Sequence, residues 1–274
     1  MVIMTNPSNL TDQAIAKACC ADLYQSDVAR LVLGDSLHPG GLALTNRLAR
    51  LMGVQAGDWV LDLASGRGVS AMAVSRVFHC NVVGVEFGAI SVAESWTKSN
   101  ESPSPPTCFF IRGDAERPPI RSGSFDGVFC ECSMSLFMDK GEAVAEITKL
   151  LRAGGRFGLS DVALAPGALP PELDGTIGQL LCLSDALDVH GYLSLLEGAG
   201  LEVVQQEDSS AEIVKILDQV EGKLAALDTW MGLSPPEVQD SGVLDTVPQV
   251  MTTLRAMVAS GDLGYWLFVA QKPG

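Results

Sequence analysis

Three carboxylates and one glycine turn are the residues of this 274-residue chain best placed to do chemistry. Asp62 stands in the apolar run "WVLDLA" (59–64), Glu86 closes "NVVGVE" (81–86), and Asp114 follows "TCFFIRG" in "RGDAERPP". Directly after Asp62 come Ala64, Ser65, Gly66, Arg67 and Gly68, and then a helical spacing from Val69 to Phe78. A strand that ends in a glycine turn and a helix start presents backbone N–H groups and a positive dipole end to a ligand, so it is built to hold a nucleotide-like molecule.

Two cofactors compete for that turn. Gly66 to Ala71 satisfies the G-x-G-x-x-G/A pattern of dinucleotide sites, and Glu86 could accept hydrogen bonds from ribose hydroxyls in either case. Asp62 separates them. A pyrophosphate on the helix start would lie close to that carboxylate, and two like charges about 4 Å apart repel by roughly 4 kcal/mol at an effective dielectric near 20. S-adenosylmethionine carries an ammonium and a sulfonium and no phosphate, so the same carboxylate attracts it. Asp114, at the third strand end, is placed to accept from an adenine amino group, which makes Asp62, Glu86 and Asp114 three carboxylates at three successive strand ends. In open α/β sheets the crevice at those ends binds ligands.

The elements that must position these groups are legible in the apolar runs. "WVLDLA", "NVVGVE", "TCFFIRGD" (107–114), "FDGVFCE" (125–131) and "GRFGLSDV" (155–162) are nearly all apolar, as strands buried on both faces should be. Helical spacings over 69–78, 89–98 and 140–151 alternate with them, which predicts a doubly wound α/β fold with right-handed crossovers. "ALPPELDGTIGQLLCLSDAL" (168–187) reads as a helical segment started by proline, and "HGYLSLLEGAGLEVVQQED" as a helix, a glycine stop and a sixth strand. Residues 211–262 read as helical with a break at "LSPPE", and "GYWLFVAQK" (264–272) as the last strand. The predicted organisation is a helical cap over 1–54, a core over 55–207, a helical insertion over 208–262 covering a site, and a last core strand over 263–274.

Composition narrows the partners. The formal charge is −15, which opposes binding to nucleic acid, because phosphate contacts need clustered Lys and Arg. No apolar run reaches the roughly 18 residues of a bilayer span, and "MVIMTNPSNL" does not resemble a secretory signal. Seven cysteines in such a chain read as reduced thiols of a cytoplasmic protein. The expected partner is a small-molecule acceptor. The sequence leaves the oligomeric state open and offers no metal site, since its His and Cys spacings match no zinc pattern.

Taken as a set, "VLDLASGRG", "VVGVE", "GDAERPPI", "FDGVFCECSMSLF" and "LRAGGRFGLSD" resemble the successive motifs of the Rossmann-like, class I S-adenosylmethionine-dependent methyltransferases over about residues 55–205. The resemblance implies a mostly parallel seven-stranded sheet with its last strand antiparallel. It implies that Asp62 and the Gly66–Gly68 loop hold the methionine part of the cofactor, with Ala64 and Ser65 beside them. Glu86 and Phe87 would serve the ribose, and Gly113, Asp114 and Ala115 the adenine, while Glu131 completes the cofactor-lining set. Arg67 departs from the small residue or threonine more usual in the loop, and is expected to pair with a nearby carboxylate or with the cofactor's own.

The methyl acceptor is approached through thiols. Cys130-Glu131-Cys132 ends the fourth strand, where a period of two puts both sulfurs on one face and Glu131 on the other. Cys182 follows in "LLCLSDAL". Soft sulfurs near a methyl donor suit a soft acceptor such as trivalent arsenic. "SDVARLVLGDSLHPGGLALTNRLA", "CEC…DK" and "C…AL…Y…L..AG" resemble the arsenite methyltransferase neighbourhood, which implies metalloid-binding roles for Cys132 and Cys182. That family's further C-terminal cysteine has no counterpart after Cys182, and Cys19-Cys20 is the only other pair to offer. The same thiols can equally be small buried hydrophobes. His38 in "LHPGG", with Tyr24 and Asp27 ahead of it, is a candidate base or lid residue, and Asp161 a candidate pocket residue. His79 and His190 read as structural, and the Met and Trp residues of 229–257 as packing. The alternatives are an O-, N- or C-methyltransferase of a small metabolite, a regulatory protein that binds S-adenosylmethionine without catalysis and, more distantly, a nicotinamide oxidoreductase.

Overall fold

The computed structural model describes residues 38–101, 108–232 and 247–274. Cys19, Cys20, Tyr24, Asp27 and the "LSPPE" break lie outside the described residues, as does most of the expected N-terminal cap. In chain order the elements are α1 (Gly41–Leu51), β1 (Trp59–Leu63), α2 (Val69–Phe78), β2 (Asn81–Glu86), α3 (Ala89–Asn100), β3 (Cys108–Arg112), β4 (Phe125–Glu131), α4 (Lys140–Leu150), β5 (Leu151–Leu164), α5 (Thr176–Leu180), α6 (Val189–Gly198), β6 (Glu202–Asp208), α7 (Ala211–Gly232), α8 (Val247–Ser260) and β7 (Leu263–Gln271).

The strands form one sheet in the order β3-β2-β1-β4-β5-β7-β6. β1 to β5 run parallel, and β7 lies antiparallel between β5 and β6. This is the seven-stranded arrangement expected above. Chain order reverses between β1 and β4, the switch point at which such sheets open a crevice, so the ends of those two strands frame the site.

Each face of the sheet carries its own core. Val60, Val82 and Phe110 pack with α1 (Leu44, Leu48), α2 (Ala71, Val74), α7 (Ile213, Leu217) and α8 (Met251, Leu254, Met257). Leu61, Leu63, Val128 and Cys130 pack with α4 (Val144, Ile147) and α6 (Tyr192, Leu196) on the other side. The methionines of α8 therefore serve packing, as their helical spacing suggested. The run 168–187 departs from expectation: it holds only a 3-10 turn at Pro171–Leu173 and the five-residue α5. Pro170, Pro171 and Gly175 interrupt the backbone pattern there (Gly175 has φ 75°), and helix nucleation in so short a stretch is unfavourable.

Two glycines make room for the floor of the cofactor turn. Gly68 has φ 71°, and a Cβ there would lie 2.4 Å from Phe110 Cζ. Gly84 on β2, in register with Asp62 on one side and Phe110 on the other, would place a Cβ 2.5 Å from Phe110 Cδ1 and 2.6 Å from Ser65 Oγ. The Phe110 ring thus fills the space that two missing side chains leave beneath the turn. Gly84→Ala, which needs no unusual backbone angle, is expected to lower the unfolding free energy by about 1–3 kcal/mol through overpacking. A urea titration reads this as a lower midpoint at unchanged slope.

Candidate active site

The glycine turn is shaped by its own backbone and by Glu86. Ala64 turns out of β1 in the left-handed region (φ 57°), Ser65 N–H donates to Val85 O at 3.0 Å, and Gly68 N–H closes the turn on Ser65 O at 2.9 Å. Glu86 grips the turn from β2: its Oε2 accepts from Gly66 N–H at 2.9 Å and its Oε1 from Gly88 N–H at 2.6 Å. Each of those oxygens keeps a second lone pair for a hydroxyl donor. Arg67 is buried and its Nε lies 3.5 Å from Glu94 Oε2 on α3, so the loop arginine pairs with a carboxylate of the chain.

Asp62 is 3% exposed, and its Oδ2 has no hydrogen-bond partner among the described residues. Burial pushes its carboxyl well above the usual carboxylate range, and the negative charges of Glu131 and Glu86 push it further. The third carboxylate of the cluster is therefore Glu131 and not Asp114. β1 pairs with β2 and with β4, so the residues that end those two strands flank Asp62. Asp114 lies two residues beyond β3, with β2 between it and β1. Its Oδ1 accepts from Glu116 N–H at 3.0 Å in a turn of its own, and Ala115 packs into the core behind it. Gly113 N–H is tied to Glu86 O at 3.0 Å and Phe87 O accepts from Arg112 Nε, so these two hold the strand ends together through their backbones.

Glu131 is joined to the helical segment that precedes β1. Its Oε2 accepts from Thr45 Oγ1 at 3.0 Å and lies 3.5 Å from His38 Nε2, while its buried Oε1 has no hydrogen-bond partner among the described residues. His38 Nδ1 lies 3.1 Å from Pro39 O, a group that can only accept, so Nδ1 carries a proton and the neutral ring keeps its lone pair on Nε2. The hydroxyls of Thr45 and Ser70 both approach Nε2 at 3.5 Å. Thr45 comes from α1 and Ser70 from the first turn of α2, and neither stood out in the sequence. Their only advance signal is position: Ser70 is the second residue of the helix that follows the turn, and Thr45 is four residues past Gly41 in "LHPGGLALT".

Three clustered carboxylates with two acceptors, Asp62 Oδ2 and Glu131 Oε1, that lack a hydrogen-bond partner among the described residues fit a cationic ligand without phosphate. Comparison with known proteins agrees. Residues 61–159 match the family model "Methyltransferase domain". The chain is 28% identical over 267 residues to 27-O-demethylrifamycin SV methyltransferase of Amycolatopsis mediterranei, covering 90% of this chain and 94% of that protein. The matched region is the domain of an S-adenosylmethionine-dependent methyltransferase. The chain is also 25% identical over 263 residues to (+)-O-methylkolavelool synthase of Herpetosiphon aurantiacus, covering 89% of each. Its fold matches a phosphoethanolamine N-methyltransferase 2 of Haemonchus contortus with a TM-score of 0.80 at 16% identity, covering 98% of this chain and 62% of that one.

The methyltransferase brings two of its predicted thiols together and separates a third. Cys132 Sγ donates to Cys182 Sγ at 3.8 Å, and Cys182 Sγ lies 3.4 Å from Cys132 O. Cys130 does not share their face. β4 ends at Glu131, and Cys132 turns into the left-handed region at φ 49°, which breaks the period of two. Cys130 consequently packs on the α4/α6 side, while Cys132 joins Cys182 on the α7/α8 side. The hydrogen bond to Cys182 and burial raise the Cys132 thiol well above the usual range. His79 caps α2 at φ 55° and His190 is exposed near the start of α6, both away from the carboxylate cluster.

Asp161 sits fully buried on β5 behind the thiols. Its Oδ2 accepts from Ser135 N–H at 3.0 Å and its Oδ1 from Ser135 Oγ and Val162 N–H at 2.9 and 2.8 Å. It thereby ties the 3-10 turn after β4 to the sheet. Burial raises its pKa to about 6 against those hydrogen bonds. The folded protein then holds a proton on Asp161 more tightly than the unfolded chain does, whose carboxyl titrates near 3.9. Above pH 6 the group is charged in both states and the burial penalty is present in full. As the pH falls from 6 to 4 that penalty is relieved, so Asp161 makes the protein less stable as pH rises through this window. Subtracting the stability of Asp161→Asn from that of the parent should give a difference that drops by roughly 2–3 kcal/mol between pH 4 and pH 7. A flat difference would place the titration elsewhere.

Proposed function

We propose that this methyltransferase transfers its methyl group to a hydroxyl oxygen of a small, largely apolar metabolite. The observation that carries the proposal is His38. Its Nε2 is presented as an acceptor beside Glu131, at the strand-end crevice where a methyl donor fits the charge. Bound S-adenosylmethionine supplies an electrophilic methyl group on a sulfonium. Asp62 Oδ2 and Glu131 Oε1 would receive the ammonium, and Glu86 the ribose hydroxyls, with Asp114 and Ala115 at the adenine. His38 Nε2 would take the proton of the acceptor hydroxyl, and Glu131 Oε2 faces the position where that proton arrives. Thr45 and Ser70 hold the ring and the carboxylate in register. The relatives named above, whose names place a methyl group on oxygen, support the choice of atom.

Trivalent arsenic is the second reading, and the 3.8 Å approach of Cys132 and Cys182 favours it. Among the described residues no group of three or more His, Cys, Asp or Glu could hold a metal ion, so a third soft ligand would have to come from Cys19 or Cys20. One assay separates the two. The purified protein is given the cofactor and a panel of terpenoid and polyketide-like alcohols together with arsenite, and products are read by mass spectrometry. Methylated alcohol formed at the parental rate by Cys182→Ala supports the oxygen reading. Methylated arsenic that disappears in Cys182→Ala, with no methylated alcohol, overturns it.

A further inference from the structure

We infer that Cys132 and Cys182 form a reversible disulfide that tethers the β5–α6 connection to the end of β4. The two residues are 50 apart in sequence, yet their sulfurs stand 3.8 Å from each other. A disulfide needs about 2.05 Å, so the two side chains must close about 1.8 Å between them. Both residues hold left-handed backbone angles, φ 49° at Cys132 and 61° at Cys182. Non-glycine residues adopt that region only where their surroundings over-determine it. Two such residues meeting sulfur to sulfur mark a juxtaposition that packing enforces.

The surroundings say what the bond would fix. Cys182 lies in the connection between β5 and α6, which carries the short α5; backbone hydrogen bonds hold the two ends of that connection (Ala165 N–H to Asp262 O at 2.8 Å, Leu164 N–H to Leu187 O at 3.0 Å), and between them the described residues show turns and apolar packing such as that of Leu173 and Leu183. Cys132 is the neighbour of Glu131 at the crevice. A covalent bond between them would therefore clamp this connection against the wall of the active site. The site differs from the one proposed for catalysis, so it stands or falls separately from the oxygen-acceptor reading.

The oxidant required is hydrogen peroxide. Cys132 is the more exposed of the pair, and its sulfur attacks the peroxide oxygen. The O–O bond breaks, giving a sulfenic acid and one water after proton transfer. The Cys182 sulfur then displaces the hydroxyl from Cys132, which leaves as a second water with the Cys182 proton. Two electrons pass from the thiols to the peroxide. Because Cys132 is held protonated, its reaction with peroxide is slow.

The full chain is treated with hydrogen peroxide, and its remaining thiols are alkylated and mapped. Amide exchange is followed over residues 176–183 before oxidation, after it, and after dithiothreitol. The expected result is a cross-linked peptide pair containing Cys132 and Cys182. It should come with about fivefold slower exchange over 176–183, as local opening is suppressed, and both changes should reverse on reduction. Cys132→Ser and Cys182→Ser should each abolish both changes; if one variant fails to fold, the other suffices. Alkylation of both thiols in peroxide-treated protein, a cross-link to any other cysteine, or unchanged exchange in the cross-linked protein overturns the inference.

Discussion

Asp62→Asn is expected to weaken S-adenosylhomocysteine binding by roughly 10- to 100-fold near neutral pH, the equivalent of one charge-assisted hydrogen bond, while making the ligand-free protein more stable. The opposite signs follow from one cause. Asp62 is buried beside Glu131 and Glu86 with an unpartnered Oδ2, so its charge opposes folding until a cation arrives. The same cause sets a pH dependence. A carboxyl raised in the folded state binds its proton more tightly there than in the unfolded chain, so the ligand-free protein gains stability as pH falls through the folded value. Ligand affinity moves the other way, because protonation removes the charge that attracts the ammonium. Calorimetry in buffers of different ionisation enthalpy should register proton release on binding as the ligand's ammonium draws Asp62 into its charged form. A folded Asp62→Asn/Glu86→Gln double variant that binds the ligand as tightly as the parent would defeat the electrostatic account.

His38→Gln should lower turnover of an alcohol acceptor by about 100- to 1,000-fold, the range of general-base catalysis, with S-adenosylhomocysteine affinity changed only a few-fold. Glutamine keeps the approximate size and can still hydrogen-bond Pro39 O and Thr45, but it has no basic nitrogen. The residual rate should therefore climb with pH as the acceptor ionises unaided. A variant defective only in folding or cofactor binding would instead lose affinity and show the parental pH profile. Parental turnover in His38→Gln would remove His38 from the chemistry.

These two residues differ in how far the sequence announced them. The placement of Asp62, Gly66, Gly68 and Glu86 around one turn was legible because it is local. Each stands at a fixed offset from an apolar run, and a strand, a tight turn and a helix start are short-range structures. The seven-stranded sheet with its last strand antiparallel followed from the resemblance of the motif set, while the order of its strands came from the structure. The charge partner of Asp62 was not legible in the same way. Asp114 looked like the third carboxylate because β3 is the next strand in sequence, but β4 is the strand that lies against β1 in space, and it brings Glu131. The thiols show the same limit. Alternation put Cys130 and Cys132 together, and a single left-handed residue at the strand end sent them to opposite cores.

By itself, then, the amino-acid order determined the parallel sheet, the turn and the negative character of its mouth, since alternation, turn chemistry and charge act over a few residues. Only the tertiary structure decided which groups meet there: Glu131 with His38, Thr45 and Ser70, and Cys132 with Cys182 across 50 residues. Strand order and chain reversal set those distances, and they depend on how whole elements pack on one another, which no local spacing encodes.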